Sequence, residues 1–251
     1  MSFPIALKRL CLAGAFLLSL SSCDGMLSGM YDQLPADSEL GEGLHPTDVA
    51  RRFTLTLDAT RYDEWIYLDL NRRTLERRAI PDTLTGEWDG KSGWMYQLME
   101  GTRFTPLRTV PTDPQTDPEH WDLAFHRFDV RTHGGSVCET SYTQIDRLPA
   151  SVTAFAEASF VPDEPTNSLV MTDLREMMAY RIGYQMIASN RVLSGWVKAD
   201  YTTPPPVFAG SGKVYILRTS DGRHAALRLK SYVGATGTKG QLTIEVLYPY
   251  E

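Results

Sequence analysis

The sequence predicts an all-β, sandwich-like domain with one short helical insertion near residues 172–186. Three observations carry this reading. Residues 53–57 (Phe-Thr-Leu-Thr-Leu) and the run from Leu242 to Tyr248 alternate with the two-residue period of a strand. Glycine turn signals, Gly134-Gly135 and Asp221-Gly222, separate short apolar runs as hairpin turns do. Helical spacing is found in Thr172 to Met186, where Asp173 and Glu176 form a capping-box-like pair and Leu174, Met177, Met178 and Ile182 follow.

The first residues read as a leader. Lys8 and Arg9 precede an apolar run from Leu10 to Leu20, too short for a stable membrane span and suited to a signal-peptide core. Leu20-Ser21-Ser22-Cys23 has the form of a lipobox, so residues 1–22 are expected to be a lipoprotein signal peptide. Cys23 would then carry acyl chains, which tether a protein to a membrane without a spanning helix. Residues 23–49 read as the lipidated cysteine followed by a flexible tether, with glycine and proline scattered among polar residues. Residues 50–251 are expected to form one β domain.

Loss of the leader removes two bases and no acids. The remainder has 23 basic against 31 acidic side chains, a net charge of −8, which argues against a nucleic-acid partner. Cys11 leaves with the leader and Cys23 is lipidated, so Cys138 stands alone, read as a small buried hydrophobe.

An aromatic-rich strand region opens the domain, with Tyr62, Trp65 and Tyr67 after the first alternation. Within residues 71–120, Arg72, Arg73, Arg77 and Arg78 form a basic cluster of the kind that is usually solvated surface. Glu87 to Met99 suggests a hairpin turning at Asp89-Gly90, and Pro106, Pro111, Pro114 and Pro118 predict an irregular path up to Trp121.

The stretch from Trp121 to Gly135 is expected to organise the chain. As one strand it would place Leu123 and Phe125 on one face and Ala124, His126 and Val130 on the other, covered on both sides. Asp122, Arg127, Asp129 and Arg131 are threaded through it. Charges so placed must be paired, and the alternating acids and bases are expected to partner one another as scaffold. His126 is expected to be a hydrogen-bonded core histidine. Further on, Val214 to Leu217 reads as another strand covered on both faces, and the three prolines after Thr203 predict an extended loop.

No catalytic constellation emerges. His133-Gly134-Gly135 has no nucleophile elbow to serve, and the spacings of zinc sites and phosphate loops are absent. The chain is read as a binding protein, not an enzyme.

Trp121, Asp122, His126, Arg127, Asp129 and Val130, followed by the glycine pair, resemble the HmuY-like family, haem-binding lipoproteins of Bacteroidota. The resemblance extends to Ala59–Leu70, the surroundings of Trp196, Lys213–Tyr232 and Leu242–Tyr250, and so covers roughly residues 50–251. It implies an HmuY-type β domain holding haem b in an apolar slot roofed by two loops, each giving an axial ligand. It also implies a role in haem and iron acquisition, with haem passed to an outer-membrane receptor, and a place in the cell envelope, at the outer membrane. Family members use histidine or methionine pairs. Here the first ligand would fall at Met177 or Met178.

The second would fall between Asp200 and Pro204, where this sequence departs from the pattern. No histidine or methionine lies between Trp196 and Pro206, and Tyr201 and Thr203 stand where one would be expected. Tyr201 could ligate ferric iron as a phenolate, or the iron could be five-coordinate. The alternative is an envelope lipoprotein of the same fold that takes another ligand or a protein partner.

Overall fold

A computed structural model describes residues 40–82, 92–100, 103–200 and 207–251. Strands pair into three main antiparallel sheets. The largest has seven, in the order Gly43–Pro46, Arg52–Asp58, Lys239–Leu247, His224–Val233, Val214–Arg218, Ser136–Glu139 and Val161–Pro162. A second sheet orders Thr74–Ala79, Glu64–Asp69, Leu123–His126 and Asp129–Thr132. The third orders Glu164–Asp173, Arg181–Ser189, Gly93–Glu100 and Arg103–Pro111.

Burial shows how the sheets are layered. Ile66, Leu68, Leu123, Phe125 and Val130 of the second sheet pack with Phe53, Leu55, Leu227, Ile244 and Val246 of the first in one core. From its other face Trp65, Tyr67 and Ala124 pack with Trp94, Tyr96 and Val170 of the third. The second sheet is therefore the middle layer, which explains why Glu64–Asp69 and Leu123–His126 lack a polar face. On the outer side of the large sheet a smaller cluster holds Cys138, Val214, Ile216 and Tyr250 beneath the segment containing Ile145 and Phe155. Val214 to Leu217 is covered on both faces, as its sequence predicts.

The organising stretch is a hairpin rather than one strand. His126 pairs with Asp129 across a two-residue turn, Arg127-Phe128, and Arg127 takes the positive φ of 55° that the favoured hairpin turns demand. Arg131, Asp122 and Arg127 find partners outside the stretch, while Asp129 faces His126 within it. Arg131 makes two 3.0 Å hydrogen bonds to Asp117 and lies over both Trp65 and Trp121. The Asp122 carboxylate accepts the Leu70 N–H at 2.8 Å, and Arg127 donates to the Thr60 carbonyl at 2.6 Å. His126 Nε2 meets the Tyr62 carbonyl at 3.1 Å, while its Nδ1 lies 3.7 Å from Asp129. Asp129 is fully enclosed, and burial pushes its carboxyl above the usual range against the pull of His126 and Arg127.

Three expectations are corrected. The insertion at 172–186 is not a helix: Met171 faces Tyr184 and Asp173 faces Gly183 across a strand pair, and three residues, Met177–Ala179, form a 3₁₀ turn at the tip. Ile182 and Tyr184 alternate as a strand does and are buried, and such packing outweighs a short run of helical spacing. The α-helical turn among the described residues is Arg191–Ser194, capped by Asn190, whose Oδ1 accepts the Leu193 N–H at 2.9 Å. The tether does not reach residue 49, because Gly43–Pro46 is an edge strand paired with residues 53–56. Finally, the irregular path expected from the prolines is found from Thr112 to Asp122, past Pro114 and Pro118, whereas Pro106 and Pro111 sit in a strand, Arg103–Pro111, bulged beside Pro106, at a sheet edge where a missing donor is tolerated. Asp89-Gly90, Cys23 and Tyr201 lie outside the described residues.

Candidate functional site

The site is built on the hairpin that joins Glu164–Asp173 to Arg181–Ser189. Its tip closes through backbone bonds from Met177 N–H to Leu174, Ala179 N–H to Glu176 and Tyr180 N–H to Met177, at 2.8–3.0 Å. Tyr180 then turns the chain with φ 59°, in the left-handed region. This geometry presents Met178 at 81% exposure and Tyr180 at 62%, while Met177 is half-buried. A methionine ordinarily fills core gaps, so a thioether held out on a tight turn has no packing role in the chain itself.

The tip is braced at both ends. Asp173 accepts the Arg175 N–H at 2.9 Å, and the Arg175 Nε and Nη2 at 2.9 and 2.8 Å. It also accepts the Tyr96 hydroxyl. Burial alone would raise the Asp173 pKa, but the bonds from Arg175 and Tyr96 outweigh it and hold the carboxyl below its ordinary value. The Tyr96 phenol is pushed up to about 12, first by burial and then by the bond to Asp173. Opposite them Gly183 leaves no room: a Cβ there would stand 2.7 Å from the Asp173 Cβ and 3.2 Å from the Tyr96 ring. At the other end Glu176 receives Arg108 at 2.9 Å and Arg181 at 3.3 Å.

Around this frame lie exposed Phe104 and Leu107 on the neighbouring edge strand, and the Arg108 guanidinium stacked 4.7 Å over Tyr96. The tip thus combines an uncommitted soft sulfur donor, apolar and aromatic flanks, and guanidinium groups. Those residue types suit a flat apolar group that carries a metal ion and peripheral carboxylates, so the set fits haem. Sequence spacing locates the methionines, but as part of a helix. It misses the Tyr96–Asp173–Arg175 brace, because Tyr96 lies far along the chain and no local pattern links it to Asp173.

The other candidates fall elsewhere. Trp196 is fully buried, donates from Nε1 to the Phe128 carbonyl at 2.9 Å and stacks on Phe125. It anchors the hairpin Val197–Asp200 with Val207–Gly210, whose connection contains Tyr201 and Thr203. His133 stacks on Trp121 and His45 bonds Gly41 and Thr56. Among the described residues, no group of three or more His, Cys, Asp or Glu side chains could hold a metal ion. Cys138 is buried, and burial pushes its thiol pKa up. Two cavities, of about 360 and 480 Å³, are lined by neither Met177 nor Met178.

The family model described as HmuY protein matches residues 61–246. A solved structure of a Bacteroides vulgatus protein described as HmuY-like and haem-binding is 30% identical, covers 84% of this chain and 100% of its own, and superposes with a TM-score of 0.65. A Bacteroides fragilis protein described as a lipoprotein is 32% identical over 84% of this chain and 96% of its own, with a TM-score of 0.61. An apo HmuY analogue from Tannerella forsythia shares the fold at 24% identity, with a TM-score of 0.57, over 80% of this chain and 97% of its own. None of the curated proteins compared matches the chain.

Proposed function

The chain belongs to the HmuY family, and on that premise we propose that it is a lipid-anchored haem-binding protein serving haem and iron acquisition. The observation that carries this is Met178, a thioether held in the open on a braced hairpin tip. The 30% identity to a protein described as haem-binding supports the same reading. Haem b would supply an iron whose axial positions accept soft sulfur or phenolate donors. Met177 or Met178, together with Tyr201, would hold the haem through its iron. Arg108 and Arg181, held at the tip by Glu176, would receive its carboxylates in exchange for that pairing.

We place the protein at the outer membrane through acyl chains on Cys23, handing haem to an outer-membrane receptor. The likeness to a protein described as a lipoprotein supports the anchor, and no helix among the described residues is long and apolar enough to cross a membrane. The chain acts by binding rather than by catalysis.

Titrating the purified protein with haemin, oxidised and then reduced, tests the reading. Binding should give a Soret band distinct from that of free haemin in at least one redox state. A spectrum identical to free haemin in both would leave the alternative, an envelope lipoprotein for a non-haem ligand or a protein partner. One observation favours that alternative: the stretch between Trp196 and Pro206 has neither histidine nor methionine.

A further inference from the structure

A cavity of about 360 Å³, within the range of small-ligand sites, is formed by three segments: the Gly134-Gly135 turn, Phe160 with Pro162, and the turn that follows Arg218. It shares no residue with the methionine tip. Strand pairing fixes the order of its wall. Arg218 lies directly opposite Ser136 on one side and His224 on the other, and Ser136 lies opposite Pro162, so these four side chains share one face of the large sheet.

Among the described residues Arg218 is the charged side chain of that wall, and no carboxylate lines it. The guanidinium is held between two other wall residues. Its Nε donates to the Ser136 Oγ at 3.3 Å, and its central carbon lies 4.8 Å from the centre of the Phe160 ring. Arg218 is exposed and, among the described residues, takes part in no ion pair. Asp221, on the same turn, is taken by Arg223 and Thr219. The two Nη groups of Arg218 therefore offer an open fork of donors and one uncompensated charge. His224 adds no second charge, since burial and then Arg218 hold its pKa below the ordinary imidazole value. The Ser136 hydroxyl accepts from Arg218 and keeps its own proton to donate, and Ser220 brings an exposed hydroxyl to the wall.

We propose that this cavity binds a small hydroxylated carboxylate, the chemical class of the sugar acids. The ligand carboxylate takes the Arg218 fork, where two parallel N–H···O bonds add geometric specificity to charge. One carboxylate neutralises the one uncompensated cation, while Ser136 and Ser220 meet ligand hydroxyls. Phe160 and Pro162 give the C–H face of a sugar ring an apolar wall. An uncharged sugar leaves Arg218 without a partner, and inorganic phosphate leaves the apolar wall uncovered.

The test uses the full chain in detergent, titrated calorimetrically with glucuronate, glucose and inorganic phosphate. Glucuronate should bind saturably at one site. Glucose should bind at least about tenfold more weakly for want of the charge, and phosphate at least about tenfold more weakly for want of the ring. Arg218→Gln, at an exposed position, should lose at least about tenfold in glucuronate affinity. Arg218→Lys, which keeps the charge without the fork, should fall between that variant and wild type. The proposal is overturned by the absence of saturable glucuronate binding, by glucose or phosphate binding as well as glucuronate does, or by a folded Arg218→Gln that binds as wild type does. Should that variant fail to fold, discrimination among the three probes by the wild-type chain decides the matter alone. Haemin takes no part in these titrations, so their outcome is read apart from that of the haem site.

Discussion

The Asp173 carboxylate takes three hydrogen bonds from Arg175, two residues further on, and so folds the hairpin tip back upon its own strand. Only 3% of Asp173 is exposed, whereas the Arg175 side chain is largely in solvent, so the energetic weight of the pair sits at the acid.

Asp173→Asn should destabilise the protein by about 2 kcal/mol, as the ion pair with Arg175 is lost and one acceptor oxygen becomes an amide donor. The folded-state pKa of Asp173 is lowered, so its contribution is present above the ordinary carboxylate pKa and disappears as pH falls through the lowered value. Urea unfolding of wild type and variant should differ at pH 7 and converge in strong acid. Equal stability at pH 7 would remove Asp173 from the brace. Gly183→Ala, which forces a methyl group against Asp173 and Tyr96, should cost about 1–3 kcal/mol at either pH.

Asp129 behaves in the opposite sense. Burial raises its folded-state pKa, so stability is greatest below the unfolded carboxylate value and declines as pH rises through the folded one. Asp129→Asn should remove that decline. Asp129→Ala, which strands His126 in the core, should cost about 3–5 kcal/mol whether or not ligand is present. Thermal melts from pH 4 to pH 8 check both. A variant that melts as wild type does but loses ligand would move Asp129 from scaffold to site.

Cys23→Ser should release the protein from the membrane fraction into the soluble one. Fractionation followed by intact-mass measurement reads this directly, since the wild-type chain should also carry the added mass of its acyl groups. Unmodified, soluble wild-type protein would end the anchor proposal.

Thioether and phenolate make opposite demands on iron. Methionine ligation stabilises the ferrous state and phenolate the ferric, so each predicts its own redox preference. Replacing Met177 and Met178 together by alanine should shift the Soret band or weaken haem binding by about tenfold or more, chiefly under reduction. Tyr201→Phe should weaken ferric binding alone. Spectra of both variants in both states that match wild type would move the ligands elsewhere.

Much of the β architecture is legible in the sequence because alternation and turn residues are local signals. Phe53 to Leu57, Val214 to Leu217 and Leu242 to Leu247 all form strands in the expected places. The double coverage of Trp121 to Gly135 is legible too, and its place in the middle layer is the reason for it. The partners of Arg131 and Arg127 are not, because Asp117 and the Thr60 carbonyl lie outside the stretch in which the charges alternate. The methionine tip shows the same limit in reverse. Leu174, Met177 and Ile182 satisfy helical spacing, yet the decisive partners are Tyr96 and Gly183, which a local period does not register.

The pairing of Arg52–Asp58 with Lys239–Leu247 sets a condition on biosynthesis. Leu55 lies opposite Ile244, so the first long strand of the domain has to wait for the last before its free edge is closed. Chains made or exported from the N-terminus onward must therefore remain incompletely folded until Lys239–Leu247 emerges. For a protein whose proposed destination lies across a membrane, that delay keeps the chain threadable during passage. It also leaves a sticky strand edge that a periplasmic holdase would have to shield.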